Sequence, residues 1–97
     1  MAVGDVVANI VSVAAGGSIV IQPAAGVEWL ITNIYIPDGN TSLELYKTDG
    51  TTDIKILSLN GSLLNYNFYL TNTYYLKIVN TDTANAYSVG YDGVQTR

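Results

Sequence analysis

Pro23-Ala24-Ala25-Gly26-Val27-Glu28-Trp29-Leu30-Ile31-Thr32-Asn33-Ile34-Tyr35-Ile36-Pro37-Asp38-Gly39-Asn40 decides the fold of this chain. Pro23 presets φ at the corner of a turn, and Gly26 accepts a positive φ that a side chain resists. The next ten residues alternate. Val27, Trp29, Ile31, Asn33 and Tyr35 share one face, while Glu28, Leu30, Thr32, Ile34 and Ile36 share the other. Pro37-Asp38-Gly39-Asn40 then breaks the run. A β-rich segment held between two turns is a strand, and the rest of the chain repeats the pattern.

Outward from this segment, turn signals recur about every ten residues: Gly16-Gly17, Asp49-Gly50, Asn60-Gly61, Asn72 and Thr81 to Asn85. The runs between them predict strands over Asp5 to Ala14, Ser18 to Gln22, Val27 to Ile36, Thr41 to Thr48, Thr51 to Leu59, Ser62 to Leu70, Tyr74 to Asn80 and Ala86 to Tyr91. The first reads as apolar on both faces, as in a strand covered on both sides. In the fourth, Leu43 and Leu45 oppose Glu44 and Tyr46; in the seventh, Tyr74, Leu76 and Ile78 point inward. Asp49-Gly50 and Asn60-Gly61 are hairpin signals, because a type I′ turn needs two residues tolerant of positive φ. They predict that strands four, five and six are sheet neighbours. No stretch carries a helical period, so the expected fold is all-β, an eight-stranded, jelly-roll-like antiparallel sandwich. Residues 1-97 form one expected domain, with residues 1-5 as a flexible N-terminal arm.

The side-chain inventory excludes several functions. Hydrophobic residues make up 48% of the chain and charged residues 12%, against a norm of about 25% charged. A domain this small cannot hide so much apolar surface, so a homo-oligomer is expected. Lys47, Lys55, Lys77 and Arg97 face eight acids, for a net charge of −4. Nucleic-acid binding and attraction to an anionic membrane both need basic patches, which this sequence lacks. No apolar run approaches the length needed to cross a bilayer as a helix. The N-terminal residues carry Asp5 where a secretory signal carries positive charge, so no such signal is expected. The chain has no His and no Cys, so neither thiolate metal sites nor the commonest general base is present.

What chemistry remains is sparse. Asp5, Asp38, Asp49, Asp53, Asp82 and Asp92 fall at turns or strand ends, where Asp serves the local backbone. Glu28 and Glu44 lie in strands, but nothing in the sequence joins them as the carboxylate pair a glycosidase needs. Asp49-Gly50-Thr51-Thr52-Asp53 offers hard oxygen ligands but lacks the acidic spacing of a Ca²⁺ loop. No enzyme, metal or cofactor is therefore expected. The tyrosines are the remaining candidates. Tyr46, Tyr69 and Tyr75 alternate away from the core face, near Asn65, Asn67 and Asn72, and Trp29 is the chain's single tryptophan. These four aromatics fit cross-strand packing, a subunit interface or a ligand platform.

Val20 to Ile34, with its Pro-Ala-x-Gly turn and aromatic-bearing strand, resembles a pattern in small β-proteins of tailed-phage particles. Tyr75 to Asn80 and Val89 to Val94 are similar to the ends of the same proteins. The resemblance covers about a third of the chain and implies a capsid decoration (cement) or head-fibre-like protein. It also implies a trimer, with the major capsid protein or another virion protein as partner and the capsid surface as location. The second expectation is a carbohydrate- or receptor-binding module using Tyr46, Tyr69, Tyr75 and Trp29.

Overall fold

The computed structural model describes residues 2-97. Eight strands follow in chain order: β1 (Val6–Val13), β2 (Ser18–Ile21), β3 (Trp29–Tyr35), β4 (Leu43–Thr48), β5 (Asp53–Ser58), β6 (Phe68–Leu70), β7 (Tyr75–Asn80) and β8 (Tyr87–Gln95). They form two four-stranded sheets, β1-β8-β3-β6 (sheet I) and β2-β7-β4-β5 (sheet II). Every pairing is antiparallel. Among the described residues, β4 and β5 are the only chain neighbours that share a sheet; every other connection crosses between the two. This is the jelly-roll arrangement, a long ribbon of strands folded over itself.

Alternation produces the core. Leu43 and Leu45 of β4, with Leu76 and Ile78 of β7, are fully buried beneath sheet II. Val13, Ile31, Ile34, Leu70 and Val89 meet them from sheet I, each at 1% exposure or less. Sandwich layers about 10 Å apart leave room only for such interdigitated side chains.

Three local readings are corrected. The strict alternation expected along Val27 to Ile36 breaks at a bulge between Ile31 and Asn33. The extra residue, Thr32, carries Ile34 and Ile36 inward with Trp29 and Ile31, and turns Asn33 and Tyr35 to the outer face. The β5–β6 hairpin is absent. After β5, Leu59 tucks into the core and donates its N–H to Leu43 O. The Ser62 hydroxyl then receives the Ile36 N–H, and Leu63 exchanges two 2.8 Å backbone bonds with Ile34, which carries the chain across to sheet I. Asn65, at φ 61°, donates its N–H to the Asn33 side chain, so only three residues of the expected sixth strand pair as β6. At Asp49-Gly50 the turn is a four-residue loop closed by Thr48 and Asp53, not a two-residue type I′ turn. Only Gly50 takes a positive φ, and Asp49 Oδ1 accepts the N–H groups of Thr51 and Thr52.

β1 also departs from its reading as a strand covered on both faces. It is the edge of sheet I. Val7 and Val13 are buried, but Val6 and Ile10 are 71% and 78% exposed.

Candidate interaction surfaces

The outer face of sheet II is a polar ladder. Register places Tyr46 opposite Lys77 on one side and Lys55 on the other, and sets Thr48 beside Tyr75. Lys55 Nζ pairs with Glu44 Oε2 and Lys77 Nζ with Asp53 Oδ2, both at 2.9 Å. The Tyr46 hydroxyl donates to Glu44 Oε1 at 2.8 Å. The Lys55 hydrogen bond, then that of Tyr46, holds the Glu44 carboxyl below its ordinary pKa. The same Glu44 contact raises the Tyr46 phenol. Asp53 is likewise lowered, first by the Thr48 hydroxyl and then by Lys77. Screened by solvent, such exposed pairs contribute little to stability. They align side chains and neutralise the face.

The outer face of sheet I is different. Val6, Leu30 and Val94 cluster at one end with the exposed Tyr69, and Ile10, Gly90 and Tyr35 lie at the other. Between them Asp92 accepts hydrogen bonds from Asn33 Nδ2 at 2.7 Å and from the Tyr35 hydroxyl at 2.8 Å. The bond to Asp92 raises the Tyr35 phenol. Gly90 matters here because it lacks a side chain. Ile10 and Tyr35 flank it, each within about 3.6 Å of where its Cβ would stand, leaving a shallow apolar hollow of about 300 Å³.

At one end of the sandwich, Asp82 organises the β7–β8 loop. It accepts from the Tyr87 hydroxyl at 2.6 Å and from the Ala84 and Asn85 N–H groups. These bonds, Tyr87 first, bring its pKa down to about 2. Beneath it Asn80, 1% exposed, spends its amide donors on Val13 O, Ala14 O and Asn85 O. That side chain ties the β1–β2 loop to the β7–β8 loop.

The four aromatics expected to act together are dispersed. Tyr46 and Tyr75 lie on the outer face of sheet II and Tyr69 on that of sheet I. Trp29 points inward against the core, its ring 6.5 Å from that of Tyr91, and its buried Nε1 meets no acceptor. Glu28 pairs with Arg97 at the start of β3, on the opposite sheet from Glu44. Among the described residues no group of three or more acidic side chains is placed to hold a metal, and Asp53 is already engaged by Lys77. Sequence reasoning missed the Asn33–Asp92–Tyr35 cluster and the role of Asn80. The first depends on the β3 bulge, and the second on a loop contact across 67 residues.

Fold and surface together define the class: an all-β jelly-roll sandwich with one polar outer face and one largely apolar outer face. No family model matches the chain, and no curated protein matches it in sequence. Among solved structures it is similar to the Drosophila NLP-core, whose crystal structure is described as providing insight into pentamer formation and histone binding. The two are 15% identical, the match covers 93% of this chain and 98% of that one, and the TM-score is 0.51. The likeness is one of fold.

This finding corrects the expectations drawn from the tailed-phage resemblance. The Drosophila core, which has a similar fold, is described in terms of pentamer formation and histone binding, not as a virion protein. A capsid decoration or head-fibre role, a capsid protein partner, a trimer and a virion location are set aside, and the carbohydrate- or receptor-binding module with them. The segments behind the resemblance explain the error. Ala24 to Val27 is a turn closed by the Val27 N–H on Ala24 O, with Pro23 buried just ahead of it, and Trp29 to Tyr35 is a core strand, features common to β-sandwiches in general.

Proposed function

We propose that this chain is the protomer of a closed homo-oligomer, five-membered as in the Drosophila core, that binds basic proteins of the histone kind. Binding, not catalysis, is the activity. The observation that carries this reading is the state of the charges. Lys55, Lys77 and Arg97 are each matched to an acid. Lys47 extends its amine to Tyr69 O, and burial lowers its pKa. Asp5, Asp38, Asp49, Asp82 and Asp92 have no cationic partner among the described residues. A closed ring multiplies this negative excess by its subunit number, and the summed field attracts a polycation and speeds its association.

The test joins two measurements on the full chain. Light scattering across a dilution series gives the oligomer mass, and fluorescence anisotropy with labelled core histones gives binding at rising salt. The reading predicts a closed ring, with histone affinity that weakens steeply as the Debye length shrinks below about 10 Å. A persistent monomer, or no histone binding at low ionic strength, overturns it.

A further inference from the structure

A sandwich of two open sheets has four edge strands, and three of these are blunted. β2 spans four residues and β6 three. β5 carries Asp53 and Lys55, and its pairing with β4 is broken by a bulge between Leu45 and Tyr46. Short length, charge and bulges are the usual defences of a sheet edge. β1 has none of them. It runs for eight residues, Val-Val-Ala-Asn-Ile-Val-Ser-Val, with no charge, no proline and no shift in its register with β8.

The direction of its backbone groups follows from two hydrogen bonds. Asp5 O accepts from Gln95 N, so odd-numbered residues address β8. The Ile10 N–H instead receives its own neighbour's side chain, Asn9 Oδ1, at 2.9 Å. Val6, Ala8, Ile10 and Ser12 therefore turn their N–H and C=O groups to the open edge. Asn9 shares the parity of the buried Val7 and Val13 yet is itself exposed, with its amide folded over that edge.

We propose that β1 pairs with β1 of a second copy of this chain, antiparallel and about a two-fold axis at Asn9, joining two copies of sheet I into one continuous sheet. Ala8 then exchanges both backbone bonds with Ile10 of the second copy, and Val6 with Ser12. Ile10 N–H passes from Asn9 to the second copy's Ala8 carbonyl, and the two released Asn9 amides face each other. A second copy is the fitting occupant for two reasons. An isologous contact is self-complementary by construction, and an uncharged strand lets two chains of net charge −4 meet without opposing like charges. The contact is independent of the histone reading. Being two-fold, it cannot by itself close a five-membered ring; it joins two chains, or two rings face to face.

Position 9 tests this from both directions. In the proposed register the two Asn9 residues form a non-hydrogen-bonded pair with Cα atoms about 4.5 Å apart, within disulfide reach. The chain has no cysteine, so Asn9→Cys introduces a lone thiol. Mild oxidation of the full-length variant is expected to yield a covalent dimer on non-reducing denaturing gels at least tenfold faster than Ser58→Cys, a control on the β5 edge. Asn9→Asp keeps an oxygen for Ile10 N–H but opposes two carboxylates across the axis. At neutral pH it is expected to halve the mass seen by light scattering, and protonation below about pH 4 is expected to restore it. Equal cross-linking of the two cysteine variants overturns the proposal, as does an Asn9→Asp mass equal to that of the parent. An odd-numbered ring that binds histones overturns this pairing while leaving the histone reading standing.

Discussion

Replacing Gly93 by alanine is expected to be among the most damaging single-methyl additions in this protein. Gly93 sits in β8 opposite Ile31, where the β3 bulge pushes backbone toward it. A Cβ at this position would stand 2.8 Å from Ile31 Cα, and closer still to the Leu30 carbonyl oxygen, whereas ordinary contact begins at 3.4 Å. Both obstacles are main chain, so no rotamer change relieves them. β3 would have to withdraw by about 1 Å in a close-packed interior, stretching the ladder bonds on either side of the bulge. Overpacking alone costs about 1–3 kcal/mol, and weakening one or two backbone bonds adds about 1 kcal/mol each. The sum, about 2–5 kcal/mol, is a large part of a total stability of about 5–15 kcal/mol. At about 4–8 °C per kcal/mol for a domain of this size, Tm falls by roughly 8–40 °C. Gly61→Ala supplies the control, since its Cβ would meet nothing within 4 Å and its φ is not positive. Calorimetry or thermal circular dichroism of both variants decides the matter. A Gly93→Ala protein melting within about 4 °C of Gly61→Ala, a difference of no more than about 1 kcal/mol, refutes the steric reasoning.

Two further outcomes follow from the loop end of the sandwich. Asn80→Ala strips the β1–β2 and β7–β8 loops of their shared donor, removing its hydrogen bonds to the Val13, Ala14 and Asn85 carbonyls; at about 1 kcal/mol for each bond, urea unfolding should show a loss of about 2–3 kcal/mol, and a loss below about 1 kcal/mol would contradict that role. Asp82, with its pKa lowered to about 2 from 3.8, binds its proton more weakly folded than unfolded. Its contribution is thus complete above about pH 4 and is lost as pH falls through 2. Tyr87→Phe removes the largest cause and should raise the Asp82 titration midpoint, seen by NMR of its carboxyl carbon, toward 3.8 and flatten the acid arm of the stability profile. An unchanged midpoint would show that the phenol is not what holds Asp82 ionised.

Much of the fold was legible because β-sandwich physics is local at the level of the strand. The alternation of Leu43 and Leu45 against Glu44 and Tyr46, or of Leu76 and Ile78 against Tyr75 and Lys77, states which side is buried before any partner is known. The candidate site was less legible. Asn33 and Asp92 lie 59 residues apart and meet only because one inserted residue rotates Asn33 outward. A bulge has no marker in a run such as Leu30-Ile31-Thr32-Asn33, where strand formers precede a single Asn that an outward-facing strand position also tolerates. The Asn60-Gly61 signal misled for a related reason: turn propensity reports where a chain bends, not which sheet it bends toward.

The sequence by itself determined the class of element, the positions of the breaks and the poverty of catalytic groups, since these rest on φ preferences, period-two burial and side-chain inventory. Tertiary structure decided the pairing of strands, the dispersal of Tyr46, Tyr69, Tyr75 and Trp29, and the exposure of the β1 edge. Those depend on which sheet each connection crosses to, a choice made by the summed burial of Leu59, Leu63 and their distant partners and by no short stretch of residues.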